Sequence, residues 1–356
     1  MSINHTGLDN LGNTCYINTM LQMLMAVPDL NSYFLDDEFI EDINMCIKLK
    51  MINNQGQITH NFLLTRLYST MIYHLQKNKC ESYAPKNIYK KLTLYHPEFV
   101  AGTQQDSPES LIVMLDAFHE SIKYELVLNV SGAVENEIDQ LMLDSANSID
   151  AKNYSKIYDL FGARILQYVV CKEEGRNNEI LSKRFEPYLQ TMLEIPDDAE
   201  TIYDCLDEFF TDESLDEDNL YFDEKNSKKV KADICKKFIN LPKYLIIVLK
   251  RFKQNNMGMF IGKNKSKIAI PIDDDYLDLS DYTIGYDKDG STYELISVGL
   301  HSGGLHGGHY YAYAKNSDDK KYYRYDDSNV TLLDLNNCED DLYRNGYYFI
   351  FKKIQQ

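Results

Sequence analysis

The sequence lacks several features that define large classes of protein. No apolar run approaches the length of a membrane span, and the first residues carry no charged segment followed by an apolar one. We therefore expect no membrane partner and a location inside the cell, in the cytoplasm or nucleus. No two cysteines have CxxC spacing, and their total of seven is odd. This pattern is typical of reduced thiols and predicts neither a disulfide framework nor a zinc ribbon.

Positive charge is also scarce, with 37 Lys and Arg against 55 Asp and Glu and a net charge of −18. A phosphate backbone requires basic patches, so we expect no nucleic-acid partner and favour basic protein surfaces. Residues 197–224 hold thirteen acidic residues and no basic one, and a basic segment follows at residues 225–237. The acidic run is either a solvated face or one side of local charge pairing.

The pattern along the chain changes near residue 160. Before residue 125 the apolar residues recur with helical spacing, and residues 126–158 are polar, acidic and rich in turn formers. After residue 160, short runs rich in β-branched and aromatic residues are bounded by Gly, Asn or Asp, which predicts strands. Helices followed by an antiparallel sheet predict an α+β fold with a cleft between the two halves.

A cysteine stands at the start of the first predicted helix. In LDNLGNTCYINTMLQML, residues 8–24, the apolar residues after Cys15 have helical spacing, and turn and N-cap residue types come directly before it. The free N–H groups and the dipole of a helix N-terminus favour thiolate over thiol. Cys15 is therefore a candidate nucleophile, and the alternative is a small buried hydrophobic residue.

A nucleophilic cysteine needs a base, and the base needs a group that orients it. His309 stands where the glycine-rich loop HSGGLHGG enters the predicted strand HYYAYA. Asp326 and Asp327 follow the next predicted strand, and a hairpin of this length returns Asp326 to the side of His309. Turn capping is the alternative role for the two aspartates. His301 and His306 suggest a metal site with His309, but no carboxylate or cysteine lies nearby at ligand spacing, so we expect no metal.

Five motifs together resemble those of the ubiquitin-specific proteases, which are papain-like deubiquitinases. GLDNLGNTCYINTMLQ is similar to the cysteine box of that family, and GLHSGGLHGGHYYAYAKN with YYRYDDSNV is similar to its histidine box. QQDSPESL, LPKYLIIVLKRF and GYYFIFKK resemble three further motifs, in the family's order, across residues 7–353. The resemblance implies a thiol protease without a cofactor that hydrolyses the isopeptide bond after the C-terminal Gly of ubiquitin. An isopeptidase for another ubiquitin-like modifier and a non-catalytic ubiquitin-binding module are the alternatives.

The resemblance also implies roles for individual residues. Cys15 is the nucleophile, His309 the general base and Asp326 the group that orients the imidazole. Asp327 is able to share the role of Asp326. Asn10 stabilises the tetrahedral oxyanion through its side-chain amide, and an ordinary Asx turn is its alternative role.

The implied substrate is ubiquitin attached to other proteins, with its C-terminal tail in the cleft. That tail carries arginines just before its terminal Gly-Gly, and Asp106 and Glu109 are the expected partners of those arginines. Helix N-capping is the alternative role for the two carboxylates. Gln104, in the same motif, is a further expected substrate contact. Gly307 and Gly308 leave room for the narrow Gly-Gly.

The implied architecture is a right hand. Residues 1–125 form a helical thumb with the cysteine box, and residues 126–158 form an acidic insertion. Residues 159–240 form the fingers, and residues 241–356 form a palm with the histidine box. Many members bind zinc at the fingertips through two CxxC pairs, whereas Cys171 has no such partner, so we expect zinc-free fingers. Packing would replace the metal, and its candidates are Val169, Val170, Phe209, Phe210, Tyr221 and Phe222.

Overall fold

A computed structural model describes residues 5–50, 59–129, 131–176, 178–254, 260–304 and 307–354. His306, one of the three histidines considered for a metal site, lies outside the described residues. Within them, eleven α-helices are formed. They are α1 (Cys15–Met25), α2 (Pro28–Leu35), α3 (Asp37–Lys50), α4 (His60–Lys77), α5 (Lys86–Tyr95), α6 (Ser107–Ile122), α7 (Glu137–Ser148), α8 (Asp150–Asn153), α9 (Lys156–Phe161), α10 (Ile202–Phe210) and α11 (Glu339–Asn345). No helix in this part of the chain has the length and apolarity needed to cross a membrane.

The same residues form eighteen strands. They are β1 (Gly7–Leu8), β2 (Ser82–Tyr83), β3 (Ala163–Cys171), β4 (Ile180–Tyr188), β5 (Thr191–Leu193), β6 (Glu213–Leu215), β7 (Tyr221–Asp223), β8 (Lys228–Val230), β9 (Ala232–Asn240), β10 (Tyr244–Leu249), β11 (Phe252–Gln254), β12 (Phe260–Lys263), β13 (Leu277–Asp278), β14 (Thr292–Gly304), β15 (Gly307–Lys315), β16 (Tyr322–Asp326), β17 (Asn329–Leu333) and β18 (Gly346–Lys353). The expected order, helices first and strands afterwards, is confirmed.

The largest sheet has eight strands and separates two apolar cores. Its order is β17-β16-β15-β14-β18-β10-β5, with β13 paired to β14. All pairs are antiparallel except β5 with β10, so the expected antiparallel sheet has one parallel edge. Along β10, Ile246 faces the core under the thumb helices, whereas Ile247 faces the opposite core with α10. Successive strand residues point to opposite faces, so these near-continuous apolar strands are buried on both sides.

A second sheet of four strands, in the order β4-β3-β9-β6, extends from this body. At its far end the β3–β4 turn meets the small β7–β8 hairpin, and ion pairs join them. Arg176 contacts Glu179 at 2.6 Å and Asp223 at 2.8 Å, and the Asp223 side chain is only 3% exposed. We call these three residues the fingertip cluster.

The expectation that Phe222 packs at the fingertips is wrong. Its side chain is 52% exposed, because alternation along the short strand β7 buries its neighbour Asp223 instead. Val169, Val170 and Phe210 are buried as expected. At the tip itself, the ion pairs of the fingertip cluster make contacts that were expected from apolar packing.

Candidate active site

Cys15 is the first residue of α1, as its sequence context predicts. The preceding turn is built by side chains, since Asn10 Oδ1 accepts the N–H of Gly12 at 2.9 Å and that of Thr14 at 3.2 Å. Asn13 adopts a left-handed backbone with φ of 55°, which asparagine tolerates better than most residues. The first turn of α1 has no acidic residue. A thiolate at this helix start therefore meets N–H groups without a competing carboxylate from the helix.

His309 joins Cys15 to Asp326. It lies near the start of β15, opposite Ser302 of β14. Its Nε2 donates to Asp326 Oδ1 at 2.5 Å, so the other ring nitrogen is free for the hydrogen bond with the Cys15 side chain. The hydrogen bond with Cys15, together with that to Asp326, raises the pKa of His309 to about 9, although burial acts in the opposite direction. These interactions favour the charged form of the His309 ring.

Asp326 ends β16, and the β15–β16 hairpin brings it beside His309 as expected. Its second oxygen, Oδ2, accepts a hydrogen bond from Arg324 Nη2 at 2.9 Å. Burial opposes ionisation of this carboxyl, but the hydrogen bonds from His309 and Arg324 outweigh it and hold the pKa of Asp326 below its usual range. Asp326 is therefore an anion held on both oxygens.

Asp327 faces the thumb instead of the histidine. Its Oδ2 accepts from Asn10 Nδ2 at 2.9 Å, its Oδ1 accepts from Asn18 Nδ2 at 2.8 Å, and its backbone carbonyl accepts from Leu8 N at 2.8 Å. Its φ of 52° is left-handed, which turns the chain between β16 and β17. Asp327 thus links the turn after β16 to the cysteine-box loop. The carboxylate that accepts the hydrogen bond of His309 is that of Asp326.

Asn10 combines the two roles considered for it. Its Oδ1 forms the Asx turn described above, and one amide N–H is used on Asp327. A side-chain amide has two N–H donors, so the second one is available to an oxyanion near Cys15. The Asx turn and the bond to Asp327 fix the plane of this amide before any substrate arrives.

Of the expected substrate residues, Gln104, Asp106, Glu109 and Gly307 line a cleft of about 240 Å³. Its lining consists of Gln104, Gln105, Asp106, Glu109, Phe252, His301, Gly304, Gly307 and Tyr310. The Gln104 side chain bridges the cleft, because its Nε2 donates to the Gly308 carbonyl and its Oε1 accepts the Gly308 N–H at 3.0 Å. A Cβ on Gly308 would lie 2.2 Å from His301 Nε2, so only glycine fits there.

Asp106 lines this cleft and has one buried oxygen without a hydrogen-bond partner in the described part of the chain. Its Oδ2 accepts from Tyr347 OH at 2.9 Å, while its buried Oδ1 has no partner among the described residues. Burial raises the pKa of Asp106 to about 7, against the effect of the Tyr347 hydrogen bond. The N-capping alternative is wrong for Asp106, since it makes no side-chain cap bond to α6. Glu109 is exposed in the first turn of α6, where a negative charge is favourable.

Two further residues belong to the site, Asn18 and Arg324, and neither was predicted from the sequence. Asn18 lies three residues after Cys15, so both fall on one side of α1, and it binds Asp327. Arg324 lies two residues before Asp326 on a strand, so both side chains leave the same face. Both residues could have been predicted by counting three residues along the helix from Cys15 and two residues back along the strand from Asp326.

A cysteine at a helix N-terminus, a histidine beside it and an aspartate behind the histidine are the arrangement that cysteine hydrolases use. Residues 6–351 match the family described as ubiquitin carboxyl-terminal hydrolase. The chain belongs to this family, as its five motifs predict.

The relatives are similar over nearly all of this chain. Ubiquitin carboxyl-terminal hydrolase 4 of Saccharomyces cerevisiae is 26% identical over 385 residues, which cover 98% of this chain and 39% of the relative. Ubiquitin carboxyl-terminal hydrolase 3 of Homo sapiens is 27% identical over 373 residues, which cover 97% of this chain and 67% of the relative. The chain therefore spans well under half the length of the yeast relative and two thirds of the human one.

A solved structure has the same fold. It is the SAGA DUB module of Ubp8, Sgf11, Sus1 and Sgf73 bound to ubiquitin aldehyde, with a TM-score of 0.72 and 20% identity. The likeness covers 98% of this chain and 70% of that chain. The expected α+β, papain-like fold is confirmed.

The fingertip zinc of many family members does not fit the residues found here. Cys171 is fully buried at the end of β3, and the tip that follows is joined by the fingertip cluster. Within the described residues, one group of three potential ligands has its atoms within 4.8 Å of one another, namely His309, Asp326 and Asp327. All three of these side chains already make the hydrogen bonds of the candidate active site.

Proposed function

We propose that this chain is a thiol-dependent deubiquitinase that hydrolyses the isopeptide bond after the C-terminal Gly of ubiquitin. One observation carries the proposal: Cys15 starts a helix, His309 interacts with it and donates to Asp326, and the cleft beside them is lined by Gly307 and two carboxylates. Family membership supports the reaction class, and the acidic cleft supports a substrate with a basic, narrow tail.

In the acylation step, the Cys15 thiolate attacks the carbonyl carbon of the terminal glycine. The tetrahedral oxyanion is stabilised by the backbone N–H at the start of α1 and by the second N–H of Asn10. His309, held as an imidazolium, then gives its proton to the departing lysine amine. The products of this step are a free lysine side chain and a thioester between Cys15 and ubiquitin.

In the second step, water hydrolyses the thioester. His309 is now neutral and takes a proton from the attacking water, and the collapsing intermediate releases the ubiquitin carboxylate and restores the thiolate. Asp326 stays ionised throughout, because its hydrogen bonds from His309 and Arg324 favour the anion. Its part is to keep the ring oriented toward the sulfur.

Substrate recognition follows from the lining of the cleft. Asp106, which lines the cleft, and the exposed Glu109 carboxylate are the proposed partners of the arginines of the tail. The glycine backbone at Gly307 and Gly308 excludes a bulkier C-terminus. Gln104 covers the tail, since it already spans from the thumb to the Gly308 backbone across the cleft.

The test is cleavage of a ubiquitin C-terminal fluorogenic substrate by the purified chain. We expect turnover by the wild type, none by Cys15→Ala, and covalent labelling of Cys15 by a ubiquitin suicide probe. Binding of ubiquitin without turnover or labelling would instead establish a non-catalytic ubiquitin-binding module. The same assay with other Gly-Gly-tailed modifiers decides between a deubiquitinase and an isopeptidase for a ubiquitin-like modifier. We propose a location in the cytoplasm or nucleus, where thiols stay reduced, because Cys15, Cys80, Cys171, Cys205, Cys235 and Cys338 are free.

A further inference from the structure

Arg324 lies on the side of Asp326 that is opposite to His309. The two oxygens of the carboxylate are shared between them, with His309 Nε2 on Oδ1 at 2.5 Å and Arg324 Nη2 on Oδ2 at 2.9 Å. We propose that Arg324 is a positioning residue that holds Asp326 in the one orientation from which it can bind His309. This inference rests on the proposed function for its catalytic consequence.

Strand geometry places these groups together. Arg324 pairs with Tyr313 across β15 and β16, and Asp326 lies two residues further along the same strand. Tyr311 and His309 lie two and four residues before Tyr313. Residues two apart on a strand point to one face, so all five side chains project from the same side of the sheet.

Arg324 is itself held in place. Its guanidinium carbon lies 4.4 Å from the centre of the Tyr311 ring. That ring is buried, and its hydroxyl contacts both oxygens of Asp341 in α11, at 2.7 and 2.9 Å. A planar guanidinium can stack on a ring and donate a directed hydrogen bond at the same time, which the compact ammonium of lysine does less well. The support therefore runs from α11 through Tyr311 and Arg324 to Asp326.

Loss of the Arg324 charge and displacement of Asp326 would shift the pKa of His309 in opposite directions, which makes the inference testable. If Asp326 kept its place without Arg324, the loss of a neighbouring positive charge would raise the pKa of His309. If Arg324 instead holds Asp326, its removal frees the carboxylate to rotate into solvent, and the His309 pKa falls. Arg324 is 39% exposed, so replacing it leaves the apolar core intact.

The experiment compares Arg324→Met, Arg324→Lys and the control Lys321→Met. The control removes the same charge from an exposed residue just before β16. In Arg324→Met we expect kcat to fall about tenfold with KM little changed, a loss typical of residues that orient a catalytic group. We also expect the His309 pKa, followed by NMR titration of the imidazole, to fall. Arg324→Lys should recover part of both effects, and Lys321→Met should change neither.

The NMR titration separates this inference from the proposed function. It requires no turnover, so it tests the positioning role even if the wild-type chain does not cleave ubiquitin. A wild type without activity would contradict the proposed function alone. An unchanged or raised His309 pKa in Arg324→Met would overturn the positioning role. Full recovery of a lowered pKa by a positive charge placed far from Asp326 would overturn it as well.

Discussion

The replacement Asp326→Asn tests the core of the proposed mechanism, because it changes the acceptor of the His309 proton with little change in shape. The 2.5 Å hydrogen bond joins two charged groups when His309 is an imidazolium. A hydrogen bond to a charged group contributes about 1.5–3 kcal/mol, which corresponds to about 10- to 100-fold in rate. We expect kcat to fall toward the upper end of that range. KM should change little, since Asp326 does not line the substrate cleft.

The pH profile gives a second, independent magnitude. The wild-type alkaline limb should lie near pH 9, where His309 loses the proton that it must give to the leaving amine. Hydrogen bonding to Asp326 favours the charged ring, so its loss lowers the His309 pKa and moves the limb to lower pH, by about one pH unit. The bond with Cys15 remains and keeps the pKa above that of a free histidine.

The assay is cleavage of the ubiquitin fluorogenic substrate over the range from mildly acid to about pH 10. Asp327→Asn is the matched control, since it makes the same change one residue along and leaves the Asp326 bond to His309 in place. It should cost less activity than Asp326→Asn and leave the alkaline limb unmoved, and the double variant should be lower than either single one. If Asp327→Asn had the larger effect, or moved the limb as far, the assignment of Asp326 would be refuted.

Three further predictions concern the nucleophile and the fingers. Cys15→Ala should abolish turnover while keeping or tightening ubiquitin binding measured by calorimetry, and residual turnover would exclude Cys15 as the nucleophile. Folding should not depend on zinc, so a strong chelator should leave the melting temperature unchanged, whereas stoichiometric zinc in elemental analysis would contradict this. Asp223→Ala should lower the melting temperature more than the exposed control Glu224→Ala, because it leaves Arg176 without its buried partner. Equal melting temperatures would show that the fingertip cluster does not stabilise the fingers.

The parts of the site that sequence reasoning found are those with local signals. Cys15 follows a turn and begins an apolar helical stripe, so its place at a helix start depends only on its neighbours. His309 and Asp326 lie on adjacent strands of one hairpin, and the hairpin length alone brings them together.

The contacts that were missed between predicted elements depend on how distant segments dock. Asn18 and Asp327 are 309 residues apart in the sequence, and their hydrogen bond exists only once α1 packs against β15 and β16. The prediction for Phe222 was wrong for a different reason. A three-residue strand is too short for its sequence to show which residues face the core, and the opposite assignment exchanges the buried and exposed faces.

Asp326 and Asp327 are adjacent, so one short segment meets two requirements of the proposed reaction. Asp326 is the last residue of β16 and keeps the strand direction toward His309, whereas the left-handed backbone at Asp327 turns the next carboxylate to the thumb. One dipeptide thus orients the imidazole through Oδ1 of Asp326 and fixes the Asn10 amide through Oδ2 of Asp327. Because Asn10 also builds the turn that leads to Cys15, the proposed nucleophile, base and oxyanion donor are placed relative to a single short turn. Any movement that separates α1 and the loop before it from the turn after β16 must break the contacts of Asp327 with Asn10 and Asn18, so the Asn10 amide is held only while these segments stay docked.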